Sequence, residues 1–317
     1  MALRICTIGH ADHGKTTLSS ALAQGHNSSV ATLDKSGLSF EATRFQYETA
    51  TRQYDHVDFA AHNDTIKYFV TKGPELDAVI LVVSATEGPM PQTREQVLLA
   101  SQVGVPSLIV LLNKTDLVDD DEQLELVEME VRELVSQYGF PGDDLPVVRG
   151  SALKAVEGTD KETVAALLRH LDALPQGNNA RNHSSKLAVH FESLVYIRTK
   201  EEGGRHTPFF KGYRPLFNFS GKAVIGSMEL PEGVDMIMPG NSTKMNVTLI
   251  EGVELTPTST TFTIQEGSRD VGVGVQAISA SNISKLTYFE KASDNVKRSE
   301  YLRRSARIIC LLNDRKG

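Results

Sequence analysis

Gly9-His-Ala-Asp-His-Gly-Lys-Thr16 fits the pattern G-x-x-x-x-G-K-[ST], and that spacing carries specific chemistry. Consecutive backbone N–H groups of Asp12, His13, Gly14, Lys15, Thr16 and Thr17 can wrap phosphate oxygens at the start of a helix. Lys15 can bridge the outer phosphates, and the Thr16 hydroxyl can ligate Mg2+. Farther along, Asn113-Lys114-Thr115-Asp116 closes an apolar run. A carboxylate there can accept from guanine N1–H and the exocyclic amine, a pair of donors that adenine lacks, so GTP and GDP are favoured over adenine nucleotides. Ser151-Ala152-Leu153 ends the next run, where the Ala152 N–H can donate to guanine O6. Asp58 ends a further run and can hold Mg2+ through a water. The D-x-x-G expected of a nucleotide switch reads here Asp58-Phe59-Ala60-Ala61. Ala61 keeps a backbone donor for the γ-phosphate but resists φ > 0, so the switch is either damped or only slowed.

These residues need a scaffold that presents strand ends. Arg4–Gly9, Ala78–Ala85, Ser107–Asn113 and Pro146–Ser151 read as buried strands, and Lys15–Gln24, Gln92–Val103, Asp121–Tyr138 and Lys161–Leu174 show helical spacing. Thr43–Thr49 and Arg52–Asp58 alternate polar and apolar residues and predict a hairpin at one side of the sheet. The alternation of strands and helices predicts a P-loop α/β domain over 1–175, a mostly parallel sheet with helices on both faces. Residues 176–186, QGNNARNHSSK, read as a linker. Over 187–280 helical periodicity gives way to short β-rich runs with turn signals at Gly203-Gly204, Pro231-Glu232-Gly233, Pro239-Gly240-Asn241 and Glu266-Gly267, which predicts a small antiparallel β-barrel.

The chain has 317 residues and a net charge of −7, but Ser281–Gly317 carries nine Lys/Arg against four Asp/Glu, a local +5 that leaves −12 on residues 1–280. The body is therefore not a general polyanion binder, and a nucleic-acid contact has to be local. The basic tail over 281–317 reads as a docked C-terminal helix or as a binding helix, with Leu302, Ala306, Ile309 and Leu312 on one stripe. No apolar run is long enough to span a bilayer, and Met1–Gly9 lacks the sections of a signal peptide, so a cytoplasmic protein without a membrane partner is expected. Cys6 and Cys310 are too few for a disulfide framework.

The run Gly9–Leu18, together with Gly88–Glu95, Leu124–Tyr138, Pro141–Asp144 and Val148–Lys154, closely resembles bacterial or organellar elongation factor Tu. Gly203–Pro215 and Glu229–Val234 extend the resemblance into the second domain. It implies a GTP-hydrolysing translation factor that carries aminoacyl-tRNA to the ribosome. On that likeness His62 matches the family's catalytic histidine, which orients the attacking water, although a lone histidine at a helix start also reads as a capping or surface residue. Ser39 stands where the family has a threonine on Mg2+, within a shortened first switch. The gate that restrains the histidine would be Ala11 and Leu38, which implies a more open gate and faster unstimulated hydrolysis. The family's middle barrel has no counterpart beyond residues 176–186, and Leu216 replaces a glutamine that helps hold the tRNA stem.

Three functions follow. The chain is a GTPase engaging aminoacyl-tRNA or ribosome in reduced form, a nucleotide-binding paralogue that occupies a partner such as elongation factor Ts, or a nucleotide-stabilised remnant whose basic tail binds something unrelated.

Overall fold

A computed structural model describes residues 2–23, 28–32, 40–175, 186–219, 221–255 and 261–277, all within one compact unit, Met1–Ile278. Ser39, Leu38, the linker residues 176–185 and the tail 281–317 lie outside the described residues.

The first part is built from β1 (Leu3–Ile8), α1 (Lys15–Leu22), β2 (Ser28–Thr32), β3 (Glu41–Glu48), β4 (Gln53–Asp58), α2 (His62–Lys72), β5 (Ala78–Ser84), α3 (Pro91–Gln102), β6 (Leu108–Asn113), α4 (Asp121–Gln137), β7 (Val147–Arg149), α5 (Ala152–Val156) and α6 (Lys161–Asp172). They form a seven-stranded sheet of order β2-β3-β4-β1-β5-β6-β7. Pairing is parallel from β4 through β1, β5 and β6 to β7, and antiparallel for β2–β3 and β3–β4. Strand β5, AVILVVS, is buried at every position because it lies between two helical layers. Val79, Leu81 and Val83 face the layer of α2, α3 and α4, while Ala78, Ile80 and Val82 face α1, α5 and α6.

Local signals fix the helix starts. Asp120 accepts from the Glu122 N–H, Ser151 from the Lys154 N–H and Asp160 from the Thr163 N–H, each ahead of its helix. The spans of three elements are not legible in the sequence: β2, α2 and α5. Helix α2 is rich in β-branched residues (Thr65, Ile66, Val70, Thr71), which weakens its helical signal, and tertiary burial of Ile66, Phe69 and Val70 decides the conformation instead.

The second part comprises β8 (Lys186–Ile197), β9 (Phe209–Phe210), β10 (Leu216–Phe219), β11 (Lys222–Glu229), β12 (Met236–Ile237), β13 (Ser242–Leu255), β14 (Thr261–Glu266) and β15 (Arg269–Gln276). Six of them close a barrel in the order β10-β11-β13-β8-β15-β14, and β9 pairs with β12 alone. Lys186, read as the last linker residue, instead opens β8 in register with Leu255.

The barrel sits against α2. Leu194, Tyr196, Val273 and Val275 of β8 and β15 share one continuous core with Phe59, Ile66, Phe69 and Val70. Within this contact Lys67 Nζ lies 2.5 Å from Glu202 Oε1, and both side chains are largely buried. Glu202 Oε2 also accepts from the Tyr196 hydroxyl at 2.9 Å and the Thr199 N–H at 3.0 Å. The carboxylate is thereby satisfied on both oxygens, the condition under which a buried ion pair is tolerated.

Candidate functional site

The loop from Gly9 to Gly14 joins β1 to α1 at the carboxyl end of the sheet, the place where such folds present ligands. Two glycines are indispensable there. A Cβ on Gly9 (φ 137°) would sit 2.2 Å from the Val82 carbonyl oxygen, and one on Gly14 (φ 94°) 2.2 Å from Asn113 Nδ2. Asp12 takes the left-handed conformation at φ 60°, which helps curl the loop.

The Lys15 ammonium donates to the His10 carbonyl at 2.9 Å across the loop, and burial lowers its pKa, opposed by Asp58 and Asp12. The ring of His13 is fully buried beneath the loop, and neither nitrogen makes a hydrogen bond among the described residues. Burial, followed by the neighbouring His10, lowers its pKa against the opposing pull of Glu87, whose carboxylate is 3.5 Å away. The positive charge of the loop is therefore that of Lys15 and the helix terminus.

At the end of β4, Asp58 is 2% exposed. Its Oδ2 accepts from the Thr16 hydroxyl at 2.7 Å, whereas Oδ1 has no hydrogen-bond partner among the described residues. Burial raises the Asp58 pKa, while Thr16, Lys15 and the Phe59 N–H act in the opposite direction. A buried carboxylate oxygen without a partner, next to a hydroxyl and at a phosphate loop, suits a hard divalent cation held by oxygen donors. Thr17 is half-buried in the first turn of α1.

Asn113, at the end of β6, ties the Gly9–Gly14 loop to the loop that follows β7. Its Nδ2 donates to the His13 carbonyl at 2.8 Å, and its Oδ1 accepts the Ala152 N–H at 2.8 Å. The N–H read from sequence as a donor to guanine O6 is thus directed to Asn113. Lys114 adopts φ 60° and turns the chain so that Asp116 stands in a 3-10 turn, Thr115–Leu117. The Asp116 carboxylate lies 3.9 Å from Lys154 Nζ, while Leu153, 58% exposed, lies one position after Ala152. Gly150 makes this corner possible, since a Cβ there would fall 1.8 Å from Thr163 Oγ1.

Ala61 caps α2 with φ −99° and ψ 139°, an extended conformation that alanine adopts without strain. His62 begins the helix. Its Nε2 is 2.9 Å from Glu95 Oε2, and its Nδ1 is 3.1 Å from Gln96 Nε2. Gln96 in turn accepts the Gly9 N–H at 2.6 Å through Oε1.

The structure thus gathers Asp12 to Thr17 and Asp58 at one end of the sheet, joins the Asn113 and Ala152 loops to them through Asn113, and links His62 to the same loop through Gln96. The sequence reading had not singled out Gln96, Gly150 or Lys154. Gln96 carried one signal, a polar residue on the stripe that also holds Val97 and Ala100, the buried face of α3.

Residues 2–176 match the family described as elongation factor Tu GTP binding domain, and residues 184–278 match elongation factor Tu C-terminal domain. No match to the family's middle domain falls between them.

Proposed function

The chain belongs to the elongation factor Tu family of translational GTPases, and from that premise we propose that it binds GTP with Mg2+, hydrolyses it, and engages aminoacyl-tRNA or the ribosome in a reduced form. The observation that carries the nucleotide part is the buried Asp58 carboxylate, one oxygen on Thr16 and the other without a partner among the described residues.

In this reading the Lys15 ammonium exchanges the His10 carbonyl for the outer phosphates, and the N–H groups of residues 12–17 replace the water around them. Thr16, and Asp58 through a water, would hold Mg2+, with Ser39 as a further ligand, and the ion would supply neutralisation of the charge that develops on the phosphates. Asp116 accepts from the guanine N1–H and amine, Lys114 and Leu153 flank the ring, and Ser151 and Asn113 hold the two loops in register. The Ala61 N–H faces the γ-phosphate, and His62 orients the attacking water. The family premise supports the hydrolytic step, and the docking of the barrel on α2 supports a link between nucleotide and barrel.

Two measurements test this. Binding of a fluorescent guanine nucleotide with and without Mg2+, competed by ATP, should show guanine selectivity and Mg2+ dependence that Asp58→Asn removes; ATP competing as well as GTP refutes the base assignment. Protection of an aminoacyl-tRNA ester from spontaneous hydrolysis, compared between GTP and GDP at fixed salt, tests delivery. GTP-dependent protection supports it, and nucleotide binding without protection favours a paralogue that occupies elongation factor Ts.

A further inference from the structure

Both ring nitrogens of His62 are engaged by side chains of α3, and the hydrogen-bond directions are fixed from one end. The Gly9 N–H can only donate, so the Gln96 atom facing it is Oε1 and the Gln96 NH2 is turned to His62. An NH2 group also only donates, so His62 Nδ1 accepts and the ring proton resides on Nε2. That proton faces Glu95 Oε2. Gln96 is 2% exposed, which leaves no room for water to take its place. In this arrangement neither ring nitrogen can orient a water molecule.

Resting on the reading of His62 as the group that orients water, we propose that Glu95 and Gln96 form a latch that parks His62 with its proton on Nε2. Glu95 is the holding residue and Gln96 the positioning residue. Hydrolysis without a partner then requires Nε2 to leave Glu95, and the Gly9–Gln96 bond makes this release sensitive to the conformation of the phosphate loop. The latch lies wholly within α2, α3 and the loop, so it does not require the apolar gate at Ala11 and Leu38.

The test uses the full chain without ribosomes, combining single-turnover GTP hydrolysis with ring-nitrogen NMR of histidine-labelled protein. The wild type should show His62 protonated on Nε2. Gln96→Glu retains the acceptor for Gly9 but presents a carboxylate to Nδ1 while Glu95 still faces Nε2, so Nδ1 should gain a proton and the ring should appear protonated on both nitrogens. Glu95 is half exposed and its bond is correspondingly discounted, so Glu95→Ala should raise the rate about fivefold. Glu95→Gln, a conservative surface change that keeps an acceptor, should fall between the two. His62→Ala should abolish hydrolysis. A Glu95→Ala rate equal to the wild type's, with His62→Ala inactive, overturns the latch and leaves the catalytic reading standing. A His62→Ala rate equal to the wild type's overturns both. A wild-type spectrum with the proton on Nδ1 overturns the latch whatever the rates.

Discussion

Replacing Asn113 by alanine removes a clamp rather than a ligand contact alone, and the cost can be worked out bond by bond. The side chain satisfies two buried backbone groups, the His13 carbonyl and the Ala152 N–H, each at 2.8 Å. Truncation leaves both without a partner in a corner so closely packed that a Cβ on Gly14 would lie 2.2 Å from Asn113 Nδ2. An unsatisfied buried backbone group costs about 1–3 kcal/mol, so the pair should cost about 2–6 kcal/mol, a large fraction of the stability of an ordinary domain. Asn113→Asp keeps an acceptor for Ala152 but loses the donor to His13 and sets a carboxylate against a carbonyl, so it should be no milder. Urea unfolding of the nucleotide-free chain, with the denaturant slope unchanged, reads the loss directly. On the proposed reading the same variants should bind guanine nucleotide weakly, because both loops assigned to it are released. A destabilisation below about 0.5 kcal/mol would refute the clamp, since it would mean that both groups find other partners at no cost.

Acid should destabilise the protein through His56. Burial takes its pKa from 6.5 to about 3. Between those values the unfolded chain binds a proton that the folded chain refuses, so stability falls as pH drops, by about 1.4 kcal/mol per unit from this group; the pH dependence of urea unfolding should be flatter in His56→Gln by that amount, and equal slopes would refute it. At the junction with the barrel, Lys67→Met leaves the Glu202 carboxylate without its cation and should cost about 3–5 kcal/mol by thermal or urea unfolding, whereas Lys67→Met with Glu202→Gln should recover part of the loss. A double variant no more stable than the single one would show that the pair is not coupled.

Much of the scaffold was legible because its signals are local. The buried strands β5 and β6 are apolar runs up to their last residue, β1 is broken only by Arg4 and Thr7, the helices α3, α4 and α6 carry regular stripes, and the barrel turns are marked by glycines with positive φ, such as Gly203 and Gly233. The phosphate loop was legible for the same reason, since Gly9 and Gly14 answer to steric demands at fixed spacing. Helix α2 was not, because its β-branched residues disguise a segment whose conformation is set by strands far away in sequence. Ala61 stands at φ −99°, where its resistance to φ > 0 costs nothing in this conformation. The connection from Gly9 through Gln96 to His62 spans 87 residues in its first bond, and no periodicity encodes such a pairing.

Helix α2 begins with the histidine and then buries its next turns in a core that the barrel completes. Separate domains joined by a modest polar interface ordinarily swing about a hinge. Here Leu194, Tyr196, Val273 and Val275 belong to the same core as Phe69 and Val70, so withdrawing β8 and β15 would open that core to water, and the buried Lys67–Glu202 pair would have to be rehydrated at the same time. Parting the two halves therefore resembles a local unfolding event more than a hinge opening. A ligand that pries them apart must supply free energy on that scale, and it would disturb the helix that carries His62.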